Sequence, residues 1–210
     1  MPKPPEADES NAGPANGPDW RNEPPTLTGR FVSLREVQTT DAPVLVELLT
    51  APDVSRYLSA PPETASDFQR YVAWAVSERQ AGRYFAFSMV PHEAQQPVGM
   101  AYLRELEPHF ATAEWGFAIG TRHWGSGYFM DAARQLIDFA FTTVGVHRLE
   151  ARVAVQNGRC QNALQKVGAV KEAVLRRALF RAGEYLDQAL WTIVDEDWEQ
   201  AKLTWGLRVH

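Results

Sequence analysis

Within this 210-residue chain, the residues best placed to do chemistry are Arg122-His123-Trp124-Gly125-Ser126-Gly127-Tyr128, which read R-x-x-G-x-G. They follow a strand-like run over 111–119 and open a helix-like run over 128–143. The first N–H groups of a helix have no helical partner, and the helix dipole favours negative charge there. Gly125 and Gly127 carry no Cβ, so a ligand can approach their backbone closely. The pattern points to a phosphorylated cofactor. A Gly-x-Gly pair before a helix is also an ordinary tight turn, and these residues alone leave that reading open. The chain has no G-x-x-x-x-G-K-[ST], so this is not a P-loop. The third glycine of the dinucleotide fingerprint is replaced by Met130.

The elements around the turn follow from periodicity. Trp115, Phe117 and Ile119 alternate with Glu114, Gly116 and Ala118, a strand with one bulky face and one small face beyond Glu114. The small face leaves room for a ligand against the backbone. Met130, Ala133, Leu136, Ile137 and Ala140 form one side of the following helix. Leu149, Ala151, Val153 and Val155 alternate with Arg148, Glu150 and Arg152 in the next strand. Asn157 then caps a short helix with stripe Cys160, Ala163, Leu164 and Val167, ended by Gly168. Two last strands run over 169–179 and 187–194, joined through Ala182-Gly183. Upstream, a strand over 31–36 precedes a helix opened by Thr40-Asp41-Ala42-Pro43, and Ser66 or Asp67 caps a second helix. Strands over 84–90 and 98–106 follow. The spacing predicts a mixed α/β (α+β) single domain over 26–210, with helices on a largely antiparallel sheet. Residues 1–25 hold seven of the fourteen prolines and little that is apolar before Trp20. They read as a flexible tail with Trp20 as its anchor.

Composition narrows the function. Apolar content is 45%, charged content 22% and the formal net charge −5. That balance argues against binding nucleic acid by phosphate neutralisation and mildly favours a cationic acceptor. Cys160 is the single cysteine, which excludes a disulfide framework and a Cys-based metal cluster. No run has the length of a membrane span, and the N-terminus lacks an apolar signal core. The expectation is a cytoplasmic protein, monomeric or homodimeric, with no metal, no membrane partner and no nucleic-acid partner.

In order and spacing, several segments resemble the GNAT N-acetyltransferases, and in particular the RimJ/RimL-type branch that acetylates protein N-termini and similar amines. They are "LTGRFVSLREV", "AEWGFAIG", "HWGSGYFMDAARQLIDFAF", "HRLEARVAVQNGRCQNALQKVGA" and "GEYLDQALWTIV", spread over about 26–198. The resemblance implies a splayed, mostly antiparallel sheet flanked by helices, with acetyl-CoA as co-substrate. The pyrophosphate would sit on the backbone of Arg122, His123, Trp124, Gly125, Ser126, Gly127 and Tyr128. The pantetheine would run along Phe117, Ala118 and Ile119, with Asn157 bonding it from the other side. An N–H near Phe117 or Ala118 would stabilise the charge on the thioester carbonyl oxygen. The acceptor would be a primary amine, a peptide N-terminus or a small molecule, set by the first two helices and the link 55–64 with Glu63.

The chemistry implied is aminolysis, which needs a neutral amine and a group or water to take its proton. Glu114 is the candidate base; a salt-bridged strand glutamate is the alternative. Cys160 stands where the branch commonly has a serine that protonates the departing thiolate. A thiol in a first helical turn can have a depressed pKa, yet Cys160 also lies on an apolar stripe and fits core packing. The tyrosine acid of the wider family is replaced by Leu164. The run Arg177-Ala178-Leu179 lacks the carboxylate some relatives carry. These departures motivate a second expectation, a catalytically degenerate acyl-CoA-binding sensor or interaction module.

Overall fold

The computed structural model describes residues 19–59 and 61–206. In chain order the elements are β1 (Leu27–Thr28), β2 (Val32–Glu36), α1 (Ala42–Thr50), α2 (Pro52–Ser55), α3 (Ala65–Gln80), β3 (Tyr84–Pro91), β4 (Gly99–Glu105) and β5 (Thr112–Ile119). Next come α4 (Tyr128–Phe139), β6 (Arg148–Ala154), α5 (Gly158–Val167), β7 (Val170–Arg181), β8 (Glu184–Val194) and α6 (Asp195–Gly206). The eight strands form one sheet in the order β1-β2-β3-β4-β5-β6-β8-β7. Every neighbouring pair is antiparallel except β5–β6.

Strand alternation divides the core in two. Phe85, Phe87, Leu103, Trp115, Leu149 and Ile193 face one side, where α4 buries Ala133, Leu136 and Ile137 and α5 buries Leu164 and Val167. Each large apolar side chain buried there contributes about 1.5–3 kcal/mol over leaving it in water. Tyr84, Ala86, Met100 and Ala118 face the other side, under Leu45, Leu48 and Leu49 of α1 and Phe68, Val72 and Ala75 of α3. Glu114 and Gly116 share this second face, since they alternate with Trp115 and Phe117.

The described elements differ from the expected ones at one cap and add one helix. The α3 cap is Thr64, not Ser66 or Asp67: its Oγ1 accepts the Asp67 N–H at 3.1 Å, and Asp67 accepts the Thr64 N–H at 3.1 Å. Asp67 is therefore the N3 partner of a capping box. The helix α6 was not expected from periodicity; it starts directly from β8 on Asp195, Glu196 and Asp197, which suit the positive end of its dipole. The segment read as a tail through residue 25 joins the body from Asp19 onward. Trp20 packs on Phe85 (ring centroids 4.8 Å) and edge-on to Phe110 (6.2 Å), and the Arg79 side chain donates to the Arg21 carbonyl. The remainder of that tail lies outside the described residues.

Candidate active site

The parallel pairing of β5 with β6 spans only Thr112↔Arg148, Ala113↔Leu149 and Glu114↔Glu150. Beyond it the strands part: β5 continues against β4 and β6 continues against β8. Successive residues of an antiparallel strand bond to opposite sides. The Gly120 N–H donates to Val98 O at 3.0 Å, and Thr112 O accepts from Leu106 N–H at 2.9 Å. Even-numbered residues of β5 therefore bond β4, and the odd-numbered ones direct N–H and C=O into the gap. Phe117 is thereby exposed along its backbone to the gap. Ala118 is not, because its amide belongs to the β4 ladder, and its side chain is buried on the α1 side. Of the two amides considered for the thioester oxygen, only Phe117 faces the gap. The Phe117 ring rests on Phe129 of α4, centroids 4.1 Å apart, which ties the strand to the first turn of that helix.

At its far end the gap meets the glycine turn. Thr121–His123 make one 3-10 turn, and Gly125 and Gly127 follow with φ +82° and +88°. Both values lie in the left-handed region that glycine adopts without penalty. Ser126 Oγ donates to His123 O at 2.7 Å and accepts the Tyr128 N–H at 3.3 Å. Arg122 and His123 line a groove against Glu47 and Leu48 of α1, so their side chains stand on the α1 side of the turn. The Trp124 indole N–H donates to the Ile119 carbonyl at 2.9 Å, which engages the last gap-facing acceptor of β5. Arg159, beside Asn157 at the start of α5, lies over the Trp124 ring at 4.2 Å. Trp124 thus links the end of β5 to the start of α5.

Asn157 caps α5, its Oδ1 accepting the Cys160 N–H at 3.1 Å. That leaves its amide NH2 as the group able to donate to a cofactor. Cys160 packs against the main core, and burial pushes its thiol up to about 12. This fits the core-packing reading of Cys160 and not the depressed pKa considered beside it. The cap places Cys160 in the first turn, and desolvation of its buried thiolate is the cause of the rise. A donor with that pKa is a weak acid toward a thiolate whose conjugate acid sits near about 8.5.

Glu114 is nearly buried and both its oxygens are engaged. Tyr102 Oη donates to Oε1 at 2.9 Å, and the Arg104 guanidinium pairs with Oε2. The space over Gly116, expected to admit a ligand, holds the Tyr102 ring instead: a Cβ at Gly116 would stand 2.5–2.8 Å from its Cε1, Cζ and Oη. Tyr84 stacks on Tyr102 (centroids 5.9 Å), and its hydroxyl lies 3.1 Å from that of Tyr71. Burial, then the Glu114 charge and hydrogen bond, hold the Tyr102 phenol well above its ordinary range. Burial pushes Tyr84 up to about 12 against the lowering influence of Tyr71 and Arg104. These tyrosines stay protonated at neutral pH. Tyr102 and Arg104 escaped the sequence reading because only the β4–β5 register, Arg104↔Glu114 and Tyr102↔Gly116, brings them to the carboxylate. Glu63 is exposed ahead of α3. Among the described residues, no cluster of three or more His, Cys, Asp or Glu is placed to hold a metal, and no helix is long and apolar enough to cross a membrane.

A family model described as "Acetyltransferase (GNAT) domain" matches residues 32–170. The chain belongs to the GNAT acetyltransferase family. As a GNAT protein it carries the fold of that family and is an N-acyltransferase. It is 28% identical over 177 residues to the uncharacterized N-acetyltransferase p20 of Bacillus licheniformis, covering 82% of this chain and 98% of that protein. It is 25% identical over 118 residues to the [ribosomal protein uS5]-alanine N-acetyltransferase of Escherichia coli, 56% of this chain and 61% of that one. The Mycobacterium smegmatis RimJ structure in complex with CoA-disulfide superposes with a TM-score of 0.77 at 22% identity, covering 88% of this chain and 96% of that chain. The splayed β5–β6 pair and the turn at its mouth are thus set in an acetyltransferase fold.

Proposed function

We propose that this GNAT protein transfers the acetyl group of acetyl-CoA to a primary amine at the β5–β6 gap. The observation that carries the reading is the unpaired edge of β5 at Phe117, leading directly to the left-handed Gly125 and Gly127 turn. Acetyl-CoA supplies the activated acyl group. The N–H groups of Gly125, Gly127 and the first turn of α4 bind its pyrophosphate. The Phe117 backbone extends along the pantetheine as a strand would, and the Asn157 amide donates to it from the α5 side. The Phe117 N–H donates to the thioester oxygen as charge builds there. The C–N bond forms as the C–S bond breaks, and holding the two reactants together supplies much of the acceleration.

Glu114 takes the proton of the amine, directly or through water. Its two protein donors fix the carboxylate, so proton uptake exchanges one of them for the acceptor. Cys160 packs the first turn of α5, and solvent protonates the departing thiolate. The acceptor is an unhindered primary amine, and peptides beginning with alanine and spermidine are the first to test. These are chosen because the E. coli relative is named for uS5-alanine, and a Vibrio cholerae relative, 28% identical over 90 residues, is a spermidine N(1)-acetyltransferase.

The test is thiol release from acetyl-CoA across a panel of peptides and polyamines, beside calorimetric titration with CoA. Turnover with at least one amine supports the proposal. Tight CoA binding with no turnover on any amine overturns it in favour of a CoA-binding module.

A further inference from the structure

The glycine turn has a second wall. The loop between β1 and β2 brings residues 29–31 against the N-terminus of α4. Asp131, in the first turn of α4, accepts the backbone N–H groups of Arg30 (2.9 Å), Phe31 (2.7 Å) and Val32 (3.0 Å). The approach is so close that a Cβ at Gly29 would run into Asp131 and Gln135. His92 Nε2 lies 3.0 Å from the Gly29 carbonyl on the other side. The loop is thus fixed through its backbone, which leaves its two side chains uncommitted.

Those side chains stand beside the turn. Phe31 is 43% exposed, and its ring lies 3.9 Å from where a Cβ of Gly127 would be. An aromatic ring in water leaves much of its apolar stabilisation unrealised until something covers it. Arg30 lies over the Phe31 ring, Cζ 5.0 Å from the centroid, and no carboxylate among the described residues pairs with it. Two further cations near the turn, Arg122 and Arg159, are placed differently. Arg122 faces Glu47 at 3.8 Å on the α1 side, and Arg159 lies over Trp124 beside the gap.

We propose that Arg30 and Phe31 form the site for the adenosine 3′-phosphate end of CoA, with Phe31 against the adenine face and Arg30 on the 3′-phosphate. The proposal rests on the reading of Gly125 to Tyr128 as the pyrophosphate site. CoA is linear, with pantetheine on one side of its pyrophosphate and adenosine on the other. The pantetheine side of the turn is the gap, marked by Trp124 and Arg159. The nucleotide side is therefore where Gly127 meets Phe31. A guanidinium fork matches a terminal phosphate, and an exposed ring on a backbone held by Asp131 offers a flat apolar face to a base.

The experiment is calorimetric titration of the full chain with CoA, 3′-dephospho-CoA and 4′-phosphopantetheine. The unmodified protein should bind CoA about 10–100-fold more tightly than 3′-dephospho-CoA, the range for a charge-assisted contact. Arg30→Gln should bring that ratio within about twofold by weakening CoA alone, since this variant keeps the backbone N–H that Asp131 holds. Phe31→Ala should weaken CoA and 3′-dephospho-CoA alike and leave 4′-phosphopantetheine unchanged. The assignment is overturned if the unmodified protein does not distinguish the two nucleotides, if Arg30→Gln keeps the ratio, or if Arg159→Gln is the variant that abolishes it. Failure of the unmodified protein to bind CoA at all is a separate result, which removes the pyrophosphate reading as well.

Discussion

The Tyr102 hydroxyl donates to Glu114 at 2.9 Å while the same ring occupies the space over Gly116. One side chain therefore orients the candidate base and closes the face of β5 beside Phe117. If Glu114 takes the amine proton, Glu114→Gln lowers turnover by about 10²–10⁴ at neutral pH and leaves the CoA dissociation constant unchanged. Steady-state rates with the best amine, paired with CoA titration, check this. A drop of only a few-fold assigns proton removal to water.

Gly116→Ala puts a methyl where the Tyr102 ring lies, 2.5–2.8 Å from its atoms. Overpacking of this kind costs about 1–3 kcal/mol. The variant should melt at lower temperature and lose turnover together, because displacing the ring also removes its bond to Glu114. Combining it with Tyr102→Leu should recover stability but not rate. Denaturant unfolding and turnover on the single and double variants separate the two effects.

Gly125 has open space around its missing Cβ: a Cβ there would meet no atom within 4 Å other than those of its chain neighbours. Its φ of +82° is the strained part. Gly125→Val should cost the free protein about 1–3 kcal/mol for the backbone conformation. It should also abolish the rise in Tm that acetyl-CoA gives the unmodified chain, since that rise reports binding to the native state. A normal ligand-induced shift in this variant would place the pyrophosphate elsewhere.

Cys160 should alkylate on the order of 10²–10³-fold more slowly at pH 7.4 than a free thiol, because a thiol at about 12 is almost wholly protonated there. Cys160→Ala should keep turnover within a few-fold and lower Tm modestly. Cys160→Ser should be the less stable of the two, as it buries a hydroxyl. Iodoacetamide labelling against pH and kinetics of both variants test this. A large rate loss in Cys160→Ala rescued by Cys160→Ser would restore the thiol as acid.

Glu172 accepts from Arg148 at 2.9 and 2.6 Å and from Thr192 at 2.8 Å, which together bring its carboxyl down to about 2 from an ordinary 4.5. The folded pKa lies below the unfolded one. The contribution is fully present above the unfolded value and is lost as pH falls through 4.5 toward 2. Glu172→Gln should therefore lower Tm at pH 6 and make little difference near pH 2. The effect should shrink in high salt, since this carboxylate is partly exposed. Melting curves from pH 2.5 to 6 at two salt concentrations measure it.

What the sequence revealed follows from which forces are local. The alternation of Trp115, Phe117 and Ile119 with smaller partners fixes a strand and its buried face, because side chains of a strand alternate by geometry. Asn157 and Gly168 bracket α5 because caps act within a turn of the residue they serve. The Tyr102–Glu114–Arg104 group was hidden because it depends on the register of two strands, which no local rule supplies. Gly116 showed the same limit: a small residue announces space without saying what fills it. The helix α6 follows β8 without a break, and its Trp198 donates the indole N–H to Asp138 at 3.2 Å, a partner 60 residues away in sequence that no local pattern announces. Cys160 stayed open between the two readings because its first-turn position is visible in sequence while its burial is not.

The alternation of β5 along its unpaired edge also has a spectroscopic consequence. Amide protons locked into a ladder exchange with solvent only when the ladder opens, whereas those facing an open gap exchange without such an event. Gly116 and Ala118, bonded to β4, should then retain their protons long after their neighbour Phe117 has lost its own. Deuterium uptake at the gap-facing amides of Phe117 and Ile119, beside ladder-bonded neighbours, becomes a readout of whether the gap is filled, one that needs neither an acceptor amine nor turnover.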